Sequence, residues 1–261
     1  MYRTSSLIDE FVGKVESAKR SALLLDYDGT LAPLVENRYA AVPYPQVGPL
    51  LSALLECPRT RVVIVSGRPV AEVAALLSLQ PSPEIWGAHG LERLSPDGTF
   101  TAGRLDRRST RAIHEAMQWA SSQGLEDRVE RKPGGIALHW RGLDARTVED
   151  LSQRAMSALL PLTRGSRLSL SEFDGGMELR VKTYNKGHVV EQIAGEMDGA
   201  PIAYLGDDRT DEDAFRALQG RGLPVLVRRE LRPTAAECWL RPPEELVDFL
   251  TAWLRACGGA E

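Results

Sequence analysis

The sequence predicts an α/β protein with a Rossmann-like, parallel-sheet core and an inserted α+β domain. Short apolar runs, such as LLL at 23–25 and VVIV at 62–65, have the continuous hydrophobicity of strands that are buried on both faces of a parallel sheet. Segments with apolar residues at helical spacing alternate with these runs. The alternation stops near residue 105 and resumes after residue 182, which indicates an insertion.

The predicted core therefore combines residues 1–104 with residues 183–261. A proline at position 69 suits the first turn of a helix, and Gly220 is a typical helix terminator. The first segment is predicted to contain a helix over 5–20, a strand over 21–28, a helix over 47–57, a strand over 61–66, a helix from 69 and a strand over 84–90. The second is predicted to contain a helix over 185–197, a strand over 201–208, a helix over 210–220, a strand over 223–228 and a helix over 242–257.

Residues 105–182 have a different pattern, in the order helix, two strands, helix, two strands. The segments DRVERK at 127–132 and IALHWR at 136–141 alternate as half-buried strands do. RLSLSEF at 167–173 and MELRVK at 177–182 flank a turn at 174–176 and predict a hairpin. We expect an antiparallel sheet with two helices in this insertion.

The composition argues against several classes of protein. The chain has 261 residues, of which 43% are hydrophobic and 26% charged, and a formal net charge of -4, so nucleic acid or an anionic membrane is not expected as a partner. Its densest basic run, LVRRELR at 226–232, is expected to be a solvated surface. Three widely spaced cysteines predict inert thiols, and the sequence has no apolar stretch of signal-peptide or membrane-spanning type. We expect a cytoplasmic monomer.

Four stretches place polar residues at strand ends or at a helix start. Ligands of open α/β sheets bind outside the carboxyl ends of the strands, so these residues are expected to converge. Each stretch alone is a weak signal, because surface turns, helix caps and solvated helix starts use the same residue types. Their joint occurrence, in this order, predicts a metal and phosphate site. The stretches are LLLDYDGT (23–30), VVIVSGR (62–68), TYNKG (183–187) and AYLGDDRTDED (203–213).

These stretches resemble the four signature motifs of the haloacid dehalogenase superfamily of phosphohydrolases. The resemblance implies that Asp26 is a nucleophile that forms an aspartyl-phosphate, and that Asp28 is the general acid and then the general base. Other roles follow in the same way: Mg²⁺ ligands from Asp26, the Asp28 backbone carbonyl and Asp207, phosphate binding by Ser66, Gly67 and Lys186, and support from Asp208 and Asp211. Arg68 could reach the substrate or pair with a core acid.

Further stretches, AHGLE, ALHWR and MELRVKTYNKG among them, look like those of trehalose-6-phosphate phosphatases. In that family the insertion is a mobile cap that recognises the sugar, and the resemblance implies sugar contacts from Glu130, Lys132 and Glu178. His139 is not expected to join them. The segment RKPGG at 131–135 departs from the family pattern and puts the position of the lysine in question.

The family resemblance implies hydrolysis of trehalose 6-phosphate, the last step of trehalose biosynthesis, with hinges near 103–106 and 181–185. Two alternatives stay open. The first is another sugar-phosphate phosphatase, acting on sucrose phosphate or mannosyl-phosphoglycerate. The second is a catalytically silent regulatory relative.

Overall fold

The central strands of the core sheet have residues that are almost entirely buried. The computed structural model describes residues 4–173 and 175–259. In chain order, the first core segment contains α1 (Thr4–Ser17), β1 (Ser21–Leu25), α2 (Val47–Glu56), β2 (Thr60–Val65), α3 (Val70–Leu77), β3 (Glu84–Gly87), β4 (Glu92–Leu94) and β5 (Phe100–Ala102).

The inserted segment and the second core segment continue the same chain order. The insertion contains α4 (Arg107–Ser122), β6 (Val129–Lys132), β7 (Gly135–His139), α5 (Ala145–Leu159), β8 (Leu168–Phe173) and β9 (Gly176–Val181). The second core segment contains α6 (Lys186–Met197), β10 (Ile202–Gly206), α7 (Glu212–Leu218), β11 (Leu223–Val227), β12 (Cys238–Leu240) and α8 (Glu244–Ala256).

The chain divides into two compact units, a core unit of residues 1–101 and 185–261 and an inserted unit of residues 102–184. The core sheet has the order β12-β11-β10-β1-β2-β3-β4-β5. All pairs from β12 to β3 are parallel, and β4 pairs with β3 in the antiparallel direction. The predicted α/β fold class with a parallel core sheet is therefore confirmed.

The two faces of the core sheet are covered by different helices. On one face, Leu23 and Leu25 of β1 pack in a cluster with residues of α1, α2, α3 and α8, including the buried Trp253. On the other face, Leu24 packs with α6 and α7 residues such as Phe215. Burial on both faces explains why the strand sequences are continuously apolar.

The inserted unit has its own core. Its four-stranded antiparallel sheet has the order β6-β7-β9-β8, and one face packs on α4 and α5 through Ile136, Leu138, Leu151 and Leu179. Of the predicted hairpin turn, Asp174 lies outside the described residues.

One expectation about the surface is wrong. The basic run was expected to be solvated, and Arg229 is indeed exposed. Arg232, however, has only 19% of its side chain exposed, because it forms an ion pair with Glu212 and bonds to backbone carbonyls. The composition of the run could not show this difference, since both residues are arginines in one loop.

The three cysteines are buried free thiols. Among the described residues, no helix combines the length and the apolar character needed to cross a membrane.

A buried charge network stabilises the amino end of the core strands. Glu84, at the start of β3, has 1% of its side chain exposed. Its carboxylate accepts bonds from Arg61 Nε at 2.8 Å, Trp86 Nε1 at 2.9 Å and Arg93 Nε at 2.9 Å. Removing one member of such a group leaves the other charges uncompensated.

We therefore expect Glu84→Ala to lower the free energy of unfolding by about 3 kcal/mol, because two guanidinium groups lose their common partner. Urea unfolding with a constant m-value measures the change. Glu84→Gln, which keeps an acceptor oxygen, should lose less. An unchanged urea midpoint in the alanine variant would contradict this account of the network.

Candidate active site

The carboxyl ends of three neighbouring strands bring the predicted core residues to one edge of the sheet. Leu25 at the end of β1 is level with Leu205 of β10 and with Ile64 of β2. The next residues along these strands lead to Asp26, Ser66 and Asp207. Because the strands are parallel and adjacent, residues that are far apart in sequence end at the same place.

Three buried carboxylates form a cluster at this edge. One oxygen atom from each of Asp26, Asp207 and Asp211 lies within 4.8 Å of the others. Their exposed fractions are 3%, 4% and 0%. Ionised carboxylates that are this close and this deeply buried repel one another strongly, so the cluster requires bound protons or cations.

Lys186 supplies one cation. Its Nζ donates to Asp26 Oδ1 at 2.6 Å and to Asp211 Oδ1 at 2.7 Å. The residue is the first of α6, where the Asn185 side chain accepts a bond from the His188 N–H and caps the helix. The helix start therefore fixes a lysine, only 3% exposed, between two carboxylates.

Asp211 orders the cluster through four hydrogen bonds. Its Oδ1 accepts from Lys186 and from the Tyr204 hydroxyl, the latter at 2.6 Å. Its Oδ2 accepts from the backbone N–H groups of Asp207 at 3.0 Å and Asp208 at 2.9 Å. A carboxylate has about four acceptor positions, so those of Asp211 are occupied by protein donors. Asp26 and Asp207 remain as the carboxylates better suited to a metal ion.

Tyr204 was missed by the sequence reasoning. It lies within the apolar run of β10 and has no exposed surface. A buried tyrosine hydroxyl requires a partner, and a tyrosine three residues before an acid cluster is the signal that could have indicated one. Asp208 begins a short 3-10 turn and takes part in a capping box with Asp211, so its side chain serves the turn.

Two glycines allow this close packing. A Cβ atom on Gly29 would lie 2.0 Å from Asp207 Oδ2, and a Cβ atom on Gly206 would lie 2.3 Å from Asp211 Cγ. Gly29 also has a φ of 81°, which favours glycine. Position 29, in the stretch 23–30, therefore requires a glycine because the Asp207 side chain, from the stretch 203–213, packs directly against it.

The environment changes the pKa values of the cluster. Burial, reinforced by Asp211 and opposed by Lys186, raises the pKa of Asp26 to about 8. Burial and then Asp26 raise the pKa of Asp207 well above its usual range. Burial alone would lower the pKa of Lys186, but Asp211 and Asp26 together outweigh it and raise that pKa. The lysine is therefore held in its charged form.

Asp28 points to a different partner. Its two carboxylate oxygens accept from Arg68 Nε at 2.7 Å and from Arg68 Nη2 at 2.6 Å. Arg68 is 7% exposed and also lies over the Tyr27 ring. Of the two possibilities left open for Arg68, pairing with a core acid is the one observed.

The turn after β2 is held by backbone bonds from the neighbouring strand. The Ser66 N–H donates to the Trp86 carbonyl at 2.8 Å, and the His89 N–H donates to the Ser66 carbonyl at 2.9 Å. Ala88 and His89 both have positive φ values, 47° and 57°. The buried His89 ring lies so close to Gly67 that a Cβ atom there would approach it to 2.8 Å. Consecutive strained residues of this kind occur at functional sites.

Within the inserted unit, the predicted sugar-binding residues share the sheet face that is not packed on helices. Glu130 of β6 and Glu178 of β9 both pair with Ala137 of β7, and Lys132 follows Glu130 by two residues on β6. Lys132 Nζ donates to Glu178 Oε1 at 3.0 Å. His139 joins this group, contrary to expectation: its Nε2 lies 2.9 Å from Glu130 Oε2, because strand alternation puts it on the same face.

A further member of this face, Arg180, was not predicted. Its Nε lies 3.4 Å from Glu178 Oε2, and its Nη1 donates to the Tyr184 carbonyl. Arg180 follows Glu178 by two residues on β9. In a strand this spacing puts both side chains on one face, which is the signal that could have indicated Arg180. Glu178 is thus buried between a lysine and an arginine.

The donor set of the core cluster fits a hard divalent cation. Carboxylate oxygens are the ligands that Mg²⁺ prefers, and two of them come from separate strand ends that already lie close together. The raised pKa values of Asp26 and Asp207 report the same need for positive charge.

The fold of this chain is that of a haloacid dehalogenase-like hydrolase. A hydrolase of that description from Bacillus subtilis aligns with a TM-score of 0.60 at 13% identity, covering 88% of this chain and 98% of that one. The C-terminal domain of the trehalose-6-phosphate phosphatase from Candida albicans aligns with a TM-score of 0.82 at 21% identity, covering 97% of each chain.

Sequence comparison identifies the family to which the chain belongs. The profile of the trehalose-phosphatase family matches residues 24–237, so the chain belongs to that family. It is 32% identical over 252 residues to a trehalose-phosphate phosphatase from Mycobacterium marinum, which covers 88% of this chain. The chain spans 60% of the length of that relative. The resemblance read from the sequence motifs is confirmed.

The raised pKa of Asp26 predicts a pH-dependent stability for the metal-free protein. Between 3.8, the ordinary value, and about 8, folded Asp26 keeps a proton that the unfolded chain has lost. The free energy of unfolding in chelator should therefore fall as pH rises through this window. Asp26→Asn carries no such proton, so its slope should be shallower, although Asp207 still contributes. Urea unfolding between about pH 5 and pH 8 measures both slopes. Identical slopes would contradict the assignment.

Proposed function

We propose that this chain hydrolyses trehalose 6-phosphate to trehalose and phosphate, with Mg²⁺ and through an aspartyl-phosphate on Asp26. The observation that carries the proposal is the buried contact of Lys186 with Asp26 at the edge of the sheet that also presents Asp207. This site combines a nucleophile, an anion-binding cation and a cation-binding acid. Membership of the trehalose-phosphatase family supports the choice of substrate.

In the first step an oxygen atom of Asp26 forms a bond to phosphorus, and the bond from phosphorus to the sugar oxygen breaks. Asp28 gives a proton to the departing oxygen. In the second step water attacks the same phosphorus, Asp28 takes the proton from the water, and the bond from Asp26 to phosphorus breaks. Asp26 is regenerated and inorganic phosphate leaves.

The ion pair in which Arg68 donates to both carboxylate oxygens of Asp28 affects these two proposed roles of Asp28. Both carboxylate oxygens of Asp28 accept N–H groups of Arg68, an arrangement that suits the proposed role of taking a proton from water. To donate a proton, Asp28 has to leave Arg68. Arg68 is therefore a supporting residue that holds Asp28 between its two uses.

Positive groups offset the charge of the phosphoryl group. Lys186 and the Ser66 hydroxyl bind its oxygens, together with the Gly67 N–H. Asp26, the Asp28 backbone carbonyl and Asp207 would hold Mg²⁺, which when bound neutralises charge on the phosphoryl oxygens. Asp211 keeps Lys186 and the Asp207 backbone in place through its four bonds.

The sugar is proposed to bind at the sheet face of the inserted unit that is not packed on α4 and α5. Glu130, Lys132 and Glu178 offer charged donors and acceptors, each of which serves several hydroxyl groups. The ion pair of Lys132 with Glu178 holds both side chains in defined positions. Lys132 makes this contact with Glu178 although the RKPGG segment that follows it departs from the family pattern.

Phosphate release tests the proposal directly. The wild-type chain with Mg²⁺ should release phosphate from trehalose 6-phosphate at least about tenfold faster than from sucrose 6-phosphate, glucose 6-phosphate or mannosyl-phosphoglycerate. Chelator should abolish release, and Asp26→Asn should release none although it folds. Preference for another sugar phosphate would favour the first alternative, and no release from any would favour a silent regulatory protein.

The substrate role of the insertion is tested separately. We expect Glu178→Gln to lower kcat/KM for trehalose 6-phosphate by about 10- to 100-fold, because charged hydrogen bonds to sugar hydroxyls are lost. Turnover of p-nitrophenyl phosphate, which has no sugar, should stay within about twofold. The control is Glu172→Gln, an exposed residue of the same sheet. Equal losses on both substrates would show that Glu178 serves folding rather than sugar binding.

A further inference from the structure

We propose that Arg232 is a positioning residue for the metal site: it holds the Asp207–Asp208 backbone so that the Asp207 carboxylate faces Asp26. The inference rests on the Mg²⁺ site of the proposed function. It concerns a residue of the basic run that neither the motifs nor the proposed mechanism uses.

The contacts of Arg232 converge on one short piece of backbone. Its Nη2 donates to the Asp208 carbonyl at 2.7 Å and to the Asp207 carbonyl at 3.3 Å, and its Nε also donates to the Asp207 carbonyl, at 3.4 Å. Its Nη1 bonds to Glu212 Oε1 at 2.5 Å and to the Pro233 carbonyl at 2.9 Å. All three nitrogen atoms of the guanidinium group are engaged.

Glu212 anchors the arginine to α7. Glu212 is 9% exposed, and its carboxylate also accepts from the Thr234 hydroxyl and the Ala235 N–H, both at 2.8 Å. The loop that carries Arg232 is therefore tied to the helix that follows the acid cluster. Glu212 therefore binds one end of the Arg232 guanidinium group while the other N–H groups donate to the Asp207 and Asp208 carbonyls.

The same backbone is held from its other side by Asp211. Asp211 Oδ2 accepts the N–H groups of Asp207 and Asp208, and Arg232 donates to the carbonyl groups of the same two residues. Two consecutive residues thus have both their donors and their acceptors bound by fixed side chains. With the backbone held at every polar group, the direction of the Asp207 side chain is restricted.

If Arg232 acted only through its charge, its loss would have the opposite effect on Mg²⁺ binding from the one that positioning predicts. A guanidinium group near a divalent cation repels it, so loss of the charge would tighten Mg²⁺ binding if charge were the dominant effect. Loss of positioning would weaken it, because partners that orient a metal ligand contribute to metal affinity. The sign of the change in Kd therefore distinguishes a positioning residue from a nearby charge.

The experiment is calorimetric titration of the chelator-stripped chain with Mg²⁺. Arg232→Met should raise the Kd for Mg²⁺ by at least about tenfold, and Arg232→Lys, which cannot make the forked contacts, should fall between it and wild type. Arg229→Met, an exposed arginine of the same run, is the matched control and should keep the Kd within about twofold.

Arg232→Met leaves Glu212 buried without its cation, so the double variant Arg232→Met/Glu212→Gln is measured beside it. A raised Kd in this folded double variant supports positioning and excludes a simple loss of stability. An unchanged or lower Kd in either folded variant overturns the inference while the proposed function stands. Failure of the wild-type chain to bind Mg²⁺ overturns the metal requirement of the proposed function, and this inference with it.

Discussion

The contact of Lys186 with Asp26 and Asp211 is the interaction on which the site depends. Three carboxyl groups and one ammonium group are buried together at a sheet edge, and with all three carboxyl groups ionised their charges would not balance. Removing such groups from water is costly unless each has partners of opposite charge. The lysine offsets part of the repulsion, and the remaining negative charge suits a divalent cation.

A division of labour follows among the acids. Asp26 and Asp207 follow strand ends and are the acids proposed to bind the metal ion, whereas Asp211 has its acceptors filled by protein donors. Two further residues support these acids: the Tyr204 hydroxyl donates to Asp211, and Arg232 donates to the Asp207 carbonyl. Active sites built in this way gain precision from the surrounding side chains.

Much of this could be predicted from local sequence. The apolar runs before Asp26 and Ser66 predicted buried strands, and parallel strands bring their carboxyl ends together, so the fold class was confirmed. One wrong expectation concerned the run at 226–232, where composition indicated a solvated surface and Arg232 is mostly buried. Composition averages over residues, while burial depends on whether a partner such as Glu212 lies within reach.

By itself, the sequence determined the order of strands and helices, the identity of the polar residues at their ends and the family of the chain. These follow from local hydrophobic patterns and short motifs. Only the tertiary structure decided which partner each polar group takes: Arg68 for Asp28, Tyr204 for Asp211, and His139 for Glu130. Hydrogen bonds and ion pairs require atoms within about 3 Å, and no local pattern encodes such distances between segments brought together by folding.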